Sequence, residues 1–170
     1  MRILSIFLLI LSLFACTAGS GYRPETGSAP FPGLSSVTLN REFHIRPDRA
    51  SEYIQYGEIK PRNKVVEYYP HCIFELRSVS DQSRTVKPET FTVTGLHRDR
   101  YMAGFRELKL AFSGGGDYNM VMSTTTISLG STQQPDVFRL SCKQLDEPYL
   151  ARHVSVKQMR KTLDDLFTLE

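Results

Sequence analysis

Apolar and polar residues alternate with a period of two in short stretches along most of this chain, and that period commits the backbone to strands. A strand sends successive side chains to opposite faces, so an alternating stretch has one face for a core and one for water. Residues 72–78 state the rule: Cys72, Phe74 and Leu76 fall on one side, Glu75 and Arg77 on the other. Similar stretches lie at 37–45, 53–59, 91–96, 105–112, 120–129 and 137–142, separated by turn-forming residues. The pattern predicts a mainly β fold, a compact antiparallel sandwich or small barrel. No fixed internal period is present, which excludes a propeller or solenoid.

The clearest hairpin signal spans 107–128. Leu108, Leu110 and Phe112 alternate ahead of Ser113-Gly114-Gly115-Gly116-Asp117, and Ser123-Thr124-Thr125-Thr126 returns as a β-branched run. The glycine stretch superficially resembles a phosphate loop, but such loops lead from a strand into a helix, and here both flanks read as strands.

At the C-terminus the period changes. Val156, Met159, Leu163, Leu166 and Phe167 share a helical stripe, while Lys157, Arg160, Lys161 and Asp164 lie off it. Ser155 and Gln158 have the spacing of a capping box, and Val154 and Met159 that of a hydrophobic staple. An amphipathic helix is expected over 155–169, its stripe turned to the sheet.

The first 15 residues have a different character. Met1-Arg2 is a positive start, and an apolar run broken only by Ser5 and Ser12 continues to Ala15. Such a run suits a secretory leader and is shorter than the roughly 20 residues a permanent span requires. It ends in Leu13-Phe14-Ala15-Cys16, which resembles the lipobox of bacterial lipoproteins. That resemblance covers the leader alone. It implies a signal peptide at 1–15 and acylation of Cys16, with the acyl chains holding the protein on a membrane. Thr17 stands where lipoproteins kept in the inner membrane carry Asp. The expected address is therefore the periplasmic face of the outer membrane, with an inner-membrane lipoprotein, or a soluble secreted domain if Cys16 is not acylated, as the alternatives.

Setting Cys16 aside leaves Cys72 and Cys142, an even pair, and an exported chain with an even pair is expected to form a disulfide. Residues 16–35 are rich in Gly, Pro, Ser, Thr and Ala and read as a flexible tether. Residues 36–170 then form one β-rich domain. Its size suits a single core, since 170 residues less a 15-residue leader leave 155.

Composition narrows function mainly by exclusion. Lys and Arg total 21 against 18 Asp and Glu, interleaved to a net charge of +3, and no basic tail marks nucleic-acid binding. No HExxH, GxSxG or Walker-type loop is present. His71-Cys72 is the one adjacent His–Cys pair, but neighbours on a strand face opposite ways and Cys72 is needed for the disulfide. His44, His71, His97 and His153 are too dispersed for a short metal motif. Hence no catalytic set, metal or cofactor is expected. Arg98, Arg100 and Arg106, with Lys109, make the densest basic stretch and are the candidate contacts for an anionic ligand. Tyr53, Tyr56, Tyr68 and Tyr69 are expected as half-buried packing in strands.

The functional expectation is a non-enzymatic envelope lipoprotein, an interaction or assembly module with an envelope protein as partner. The alternative is a periplasmic lipoprotein that binds a small molecule or lipid within its sheet, with the arginines at the mouth.

Overall fold

A computed structural model describes residues 33–103 and 120–170. The strands are β1 (Ser36–Leu39), β2 (Phe43–Ile45), β3 (Arg49–Gln55), β4 (Glu58–Lys60), β5 (His71–Ser80), β6 (Arg84–Val86), β7 (Glu89–Ala103), β8 (Met120–Gly130), β9 (Val137–Asp146) and β10 (Phe167–Leu169). One α-helix, α1 (Val156–Leu163), precedes β10, with a 3-10 turn at Asp164–Leu166 between them. Eight strands form one sheet in the order β10-β1-β7-β8-β9-β5-β3-β4, and β2 pairs with β6 as a separate ribbon. Every ladder in both sheets is antiparallel. The large sheet curls into a half-barrel.

A curled sheet has a concave face that must be filled. Val37, Phe91, Ile127, Leu129, Leu140, Phe74 and Ile54 project into it from successive strands, and all are essentially inaccessible to solvent. α1 closes the open side, contributing Met159 and Leu163. It spans from one edge of the sheet to the other. The Arg160 guanidinium donates to the Leu169 carbonyl of β10 at 2.9 Å, and the Thr162 carbonyl accepts the Gly57 N–H of the β3–β4 turn, also at 2.9 Å. The β2–β6 ribbon caps the remaining opening with Phe43, Ile45 and Val86. Phe43 meets Phe74 edge-on at 5.3 Å between centroids, and Phe74 stacks on Phe167 at 5.7 Å.

Cys72 and Cys142 lie directly opposite each other in the β5–β9 ladder and are joined by a disulfide, both side chains fully buried in this core. The expected alternation at 72–76 is seen: Cys72, Phe74 and Leu76 belong to the core, and Glu75 on the other face pairs with Arg139 through two 2.9 Å hydrogen bonds.

The helix begins as its sequence predicts. The Ser155 hydroxyl accepts the Gln158 N–H, the Gln158 side chain accepts the Ser155 N–H at 2.9 Å, and Val154 and Met159 are both buried. Its end differs from the expectation. The helix stops at Leu163 because Asp164 takes a positive φ of 46°, and Leu166 and Phe167 reach the core from the 3-10 turn and from β10 instead. A helical stripe and the start of a short strand both leave these residues on the core side, so periodicity alone extended the helix too far.

Three other boundaries also differ. Residues 37–45 are two strands, broken where the Asn40 N–H turns to donate to the Leu166 carbonyl. Residues 53–59 are a hairpin, with Tyr56 and Gly57 both at positive φ as a type I′ turn requires. Among the described residues β8 pairs with β7 on one side and β9 on the other, so Thr92–Ala103 stands beside the return arm. The strand expected at 105–112 and the turn at Ser113–Asp117 lie outside the described residues. So do the leader, Cys16 and most of the tether. Of the stretch assigned to the tether, Leu34 is buried in the core and the Ser35 N–H donates to the Glu170 carbonyl, so the domain begins a little earlier than residue 36.

Gly57 joins two of these features. A Cβ built there would lie 2.9 Å from the Cβ of Asp164, the residue whose positive φ ends the helix. Replacing Gly57 by Ala is expected to cost about 1–3 kcal/mol, from the clash and from strain at positive φ. Urea denaturation checks this; an unchanged midpoint would show that the turn and the helix end do not seat each other.

Candidate functional site

The longest paired element is the β7–β8 arm, and it carries the basic stretch singled out in the sequence. β7 pairs with β1 only as far as Thr92, with one further bond from the Val93 N–H to the Ser35 carbonyl, while its ladder with β8 continues to Ala103 opposite Met120. A register shift between Val93 and Gly95 marks a bulge, after which Leu96, Arg98, Arg100 and Met102 stand opposite Ile127, Thr125, Ser123 and Val121. Ile127 belongs to the core, so these four β7 residues share the concave face. His97, Asp99, Tyr101 and Ala103 share the convex one.

The structure thus brings Arg98 and Arg100 together, two residues apart on one face of an exposed strand. Both residues also have interaction partners within the chain. Arg106 lies outside the described residues. Behind the arginines the floor of the sheet is polar and buried. Thr125 donates to the Val154 carbonyl at 3.2 Å, and the Ser123 hydroxyl is enclosed with no partner among the described residues. Segment 147–155 covers this floor, with Ala151 and Val154 buried and Tyr149 and Leu150 exposed. The arm also presents Tyr101, 49% exposed, and Met102, 58% exposed. Partial burial pushes the Tyr101 phenol above its ordinary range, and the nearby Glu67 and Asp99 carboxylates add to the shift.

Several other polar groups among the described residues make structural contacts. Glu52 is buried on the concave side of β3 and is held by the Arg46 guanidinium in two bonds of 2.7 and 2.6 Å, with the Arg46 N–H as a third donor. Arg84 bridges Asp136 and the Ser78 carbonyl. A polar recess of about 390 Å³ is lined by Glu89, Thr90, Thr92, Gly130, Ser131 and Thr132. Its carboxylate already accepts hydrogen bonds from Ser131 and Gln134.

The histidines are dispersed in space as in sequence. His44 bonds Thr85 on the ribbon, His97 is exposed on the arm, and His153 lies 3.3 Å from the Thr124 carbonyl. Among the described residues no three His, Cys, Asp or Glu gather into a group that could hold a metal. Cys72 is closed in its disulfide on the concave side, and His71 occupies the opposite face, stacked on Tyr53. Tyr53 is half-buried as expected, but Tyr56, Tyr68 and Tyr69 are each about half exposed. The difference arises because Tyr56 sits in the β3–β4 turn, and Tyr68 and Tyr69 in the connection before β5, not within strands. The Gln55 side chain pins that connection, donating to the Val66 carbonyl and accepting the Val66 N–H.

Among the described residues no helix is long and apolar enough to cross a membrane. No protein-family model matches this chain, and comparison with curated proteins and with solved structures finds no significant relative.

His71 is 2% exposed, and this burial lowers its imidazole below the ordinary value of 6.5; the Tyr69 carbonyl and Glu67 oppose the shift, and Lys143 adds to it. Above that value both folded and unfolded chains hold the ring neutral. As pH falls below it, the unfolded chain binds a proton that the native site resists, so stability declines until the native ring titrates as well. Urea midpoints measured from about pH 7.5 down to about pH 5 should fall more steeply for the native sequence than for His71→Gln. Parallel slopes would contradict the burial argument.

Proposed function

We propose that this protein is a bacterial envelope lipoprotein, anchored through acyl chains on Cys16. In this reading its β domain is a non-enzymatic interaction or assembly module at the periplasmic face of the outer membrane. The observation that carries the proposal is the division of the cysteines. Two of the three are consumed by a disulfide inside the core, which suits an oxidising compartment, and the third stands at the end of the apolar leader in a lipobox-like context.

Binding rather than catalysis is supported by where the polar groups are spent. Glu52, Glu75, Glu89 and Asp136 each hold a structural contact. The exposed residues of the β7–β8 arm combine arginine, tyrosine and methionine, types enriched at protein interfaces.

Two arms of one experiment test the proposal. Produced in a bacterial host, the native protein should fractionate with the outer membrane and incorporate labelled palmitate, and Cys16→Ala should be released in soluble form. A photo-crosslinking residue at position 102 should give discrete adducts with envelope proteins. A native protein that is unlabelled and soluble would overturn the anchor, and the absence of adducts would overturn the interaction module.

A further inference from the structure

Residues 61–70, which connect β4 to β5, are tied to the sheet although none of them is itself buried. Val66, Tyr68 and Tyr69 leave large side chains in solvent. What ties the connection down is polar. The Gln55 side chain holds both backbone groups of Val66, the Leu145 N–H donates to the Glu67 carbonyl at 2.8 Å, and the Gln144 side chain donates to the Tyr68 carbonyl at 3.3 Å. An element with few buried apolar contacts opens locally at lower cost than the ladders beside it.

The groups it rests on are sealed. Gln55 is 1% exposed and His71 2%, and both lie on the face of the sheet opposite the disulfide. The His71 ring stacks on Tyr53, and its Nδ1 lies 3.2 Å from the Tyr69 carbonyl. A carbonyl only accepts, so the neutral ring carries its hydrogen on Nδ1 and a second proton enters at Nε2. Burial is the largest influence on that proton and disfavours it, the Tyr69 carbonyl and Glu67 favour it, and Lys143 disfavours it. Lys143 stands directly opposite His71 in the β5–β9 ladder, and Glu67 belongs to the connection itself. The other groups against this corner, the Tyr53 ring on β3 and the Thr162 hydroxyl of α1 beside the Pro70 carbonyl, are neutral.

We propose that the 65–70 connection is an acid-operated flap: a proton added to the His71 ring lifts it from the sheet, and Tyr53, Gln55 and His71 come to the surface beside Tyr68 and Tyr69. With the flap closed the ring resists the proton, and with the flap open it meets water and takes the proton as an ordinary histidine does. Acid therefore favours the open form, by up to about tenfold per pH unit until the closed ring titrates as well. The β5–β9 ladder and the disulfide do not pass through the connection, so the half-barrel stays folded while the flap opens. The flap goes beyond the reading of the domain as an interaction module and does not depend on the acyl anchor.

Hydrogen exchange on the full chain, with its disulfide intact, tests the flap. The Val66 amide donates to Gln55 and the Leu145 amide to Glu67, so both report its closure. Between about pH 7.5 and about pH 5, their protection, corrected for the intrinsic exchange rate, should fall by up to tenfold per pH unit while the amides of the β5–β9 ladder hold theirs. His71→Gln should remove this dependence. Should that variant fail to fold, two substitutions outside the sealed pair carry opposite signs. Lys143→Gln removes a charge that opposes the closed-state proton and should lessen the fall, whereas Glu67→Gln removes one that favours it and should enlarge the fall.

Protection at Val66 and Leu145 that is independent of pH overturns the proposal. So does a fall shared equally by the ladder amides, which is global unfolding, and so does a fall that persists unchanged in His71→Gln, which assigns the proton to another group. Lys143→Gln and Glu67→Gln acting in the same direction would also contradict it.

Discussion

The half-barrel is held at its middle by one covalent bond. In the strand order, β10, β1, β7, β8 and β9 lie on one side and β5, β3 and β4 on the other, and among the described residues the β5–β9 ladder is the only strand pairing that joins the two groups. Cys72 and Cys142 face each other across that ladder, 70 residues apart in sequence. Closing a loop of that length in the unfolded chain stabilises the folded state by about 4 kcal/mol on the chain-entropy account, a large share of the margin available to a domain of this size. α1 and the β2–β6 ribbon then fill what the curl leaves open. The helix reaches β10 at one edge and the β3–β4 turn at the other, and Phe43, Phe74, Phe91 and Phe167 pack between them.

This construction explains why polar potential collects on the β7–β8 arm. Elsewhere several carboxylates and guanidinium groups are paired, as in Arg46–Glu52 and Arg139–Glu75, and buried polar groups such as Gln55 pin connections. β7 continues well past its neighbour β1, and this extension carries Arg98 and Arg100 on one face. The half-barrel is the support for that arm.

Much of this was legible in the sequence because it is written in local periodicity. The two-residue alternation at 72–76, the β-branched run in β8 and the capping box at Ser155 each specify their own conformation with few alternatives. What was not legible depends on contacts distant in sequence. Tyr56-Gly57 is a weaker hairpin signal than Asn-Gly, and it is settled by Asp164 seated against it. Leu166 and Phe167 satisfy a helical stripe and a core-facing strand equally, so the change from α1 to β10 is decided by the backbone at Asp164. For the arm, Arg98 and Arg100 were visible as a basic stretch, but their placement on one face of a long strand follows from the bulge after Val93 and from where β1 stops. No sequence period encodes either.

Cys72 and Cys142 belong to the fold, and Cys16 is the proposed membrane anchor. Intact-mass spectrometry of the protein purified from bacterial membranes and alkylated without reductant tests this division most directly. The account predicts a mature chain that begins at Cys16 with added acyl mass and takes up no alkylating groups, then two groups after reduction. Two groups taken up before reduction, or an unmodified N-terminus beyond Cys16, would contradict it.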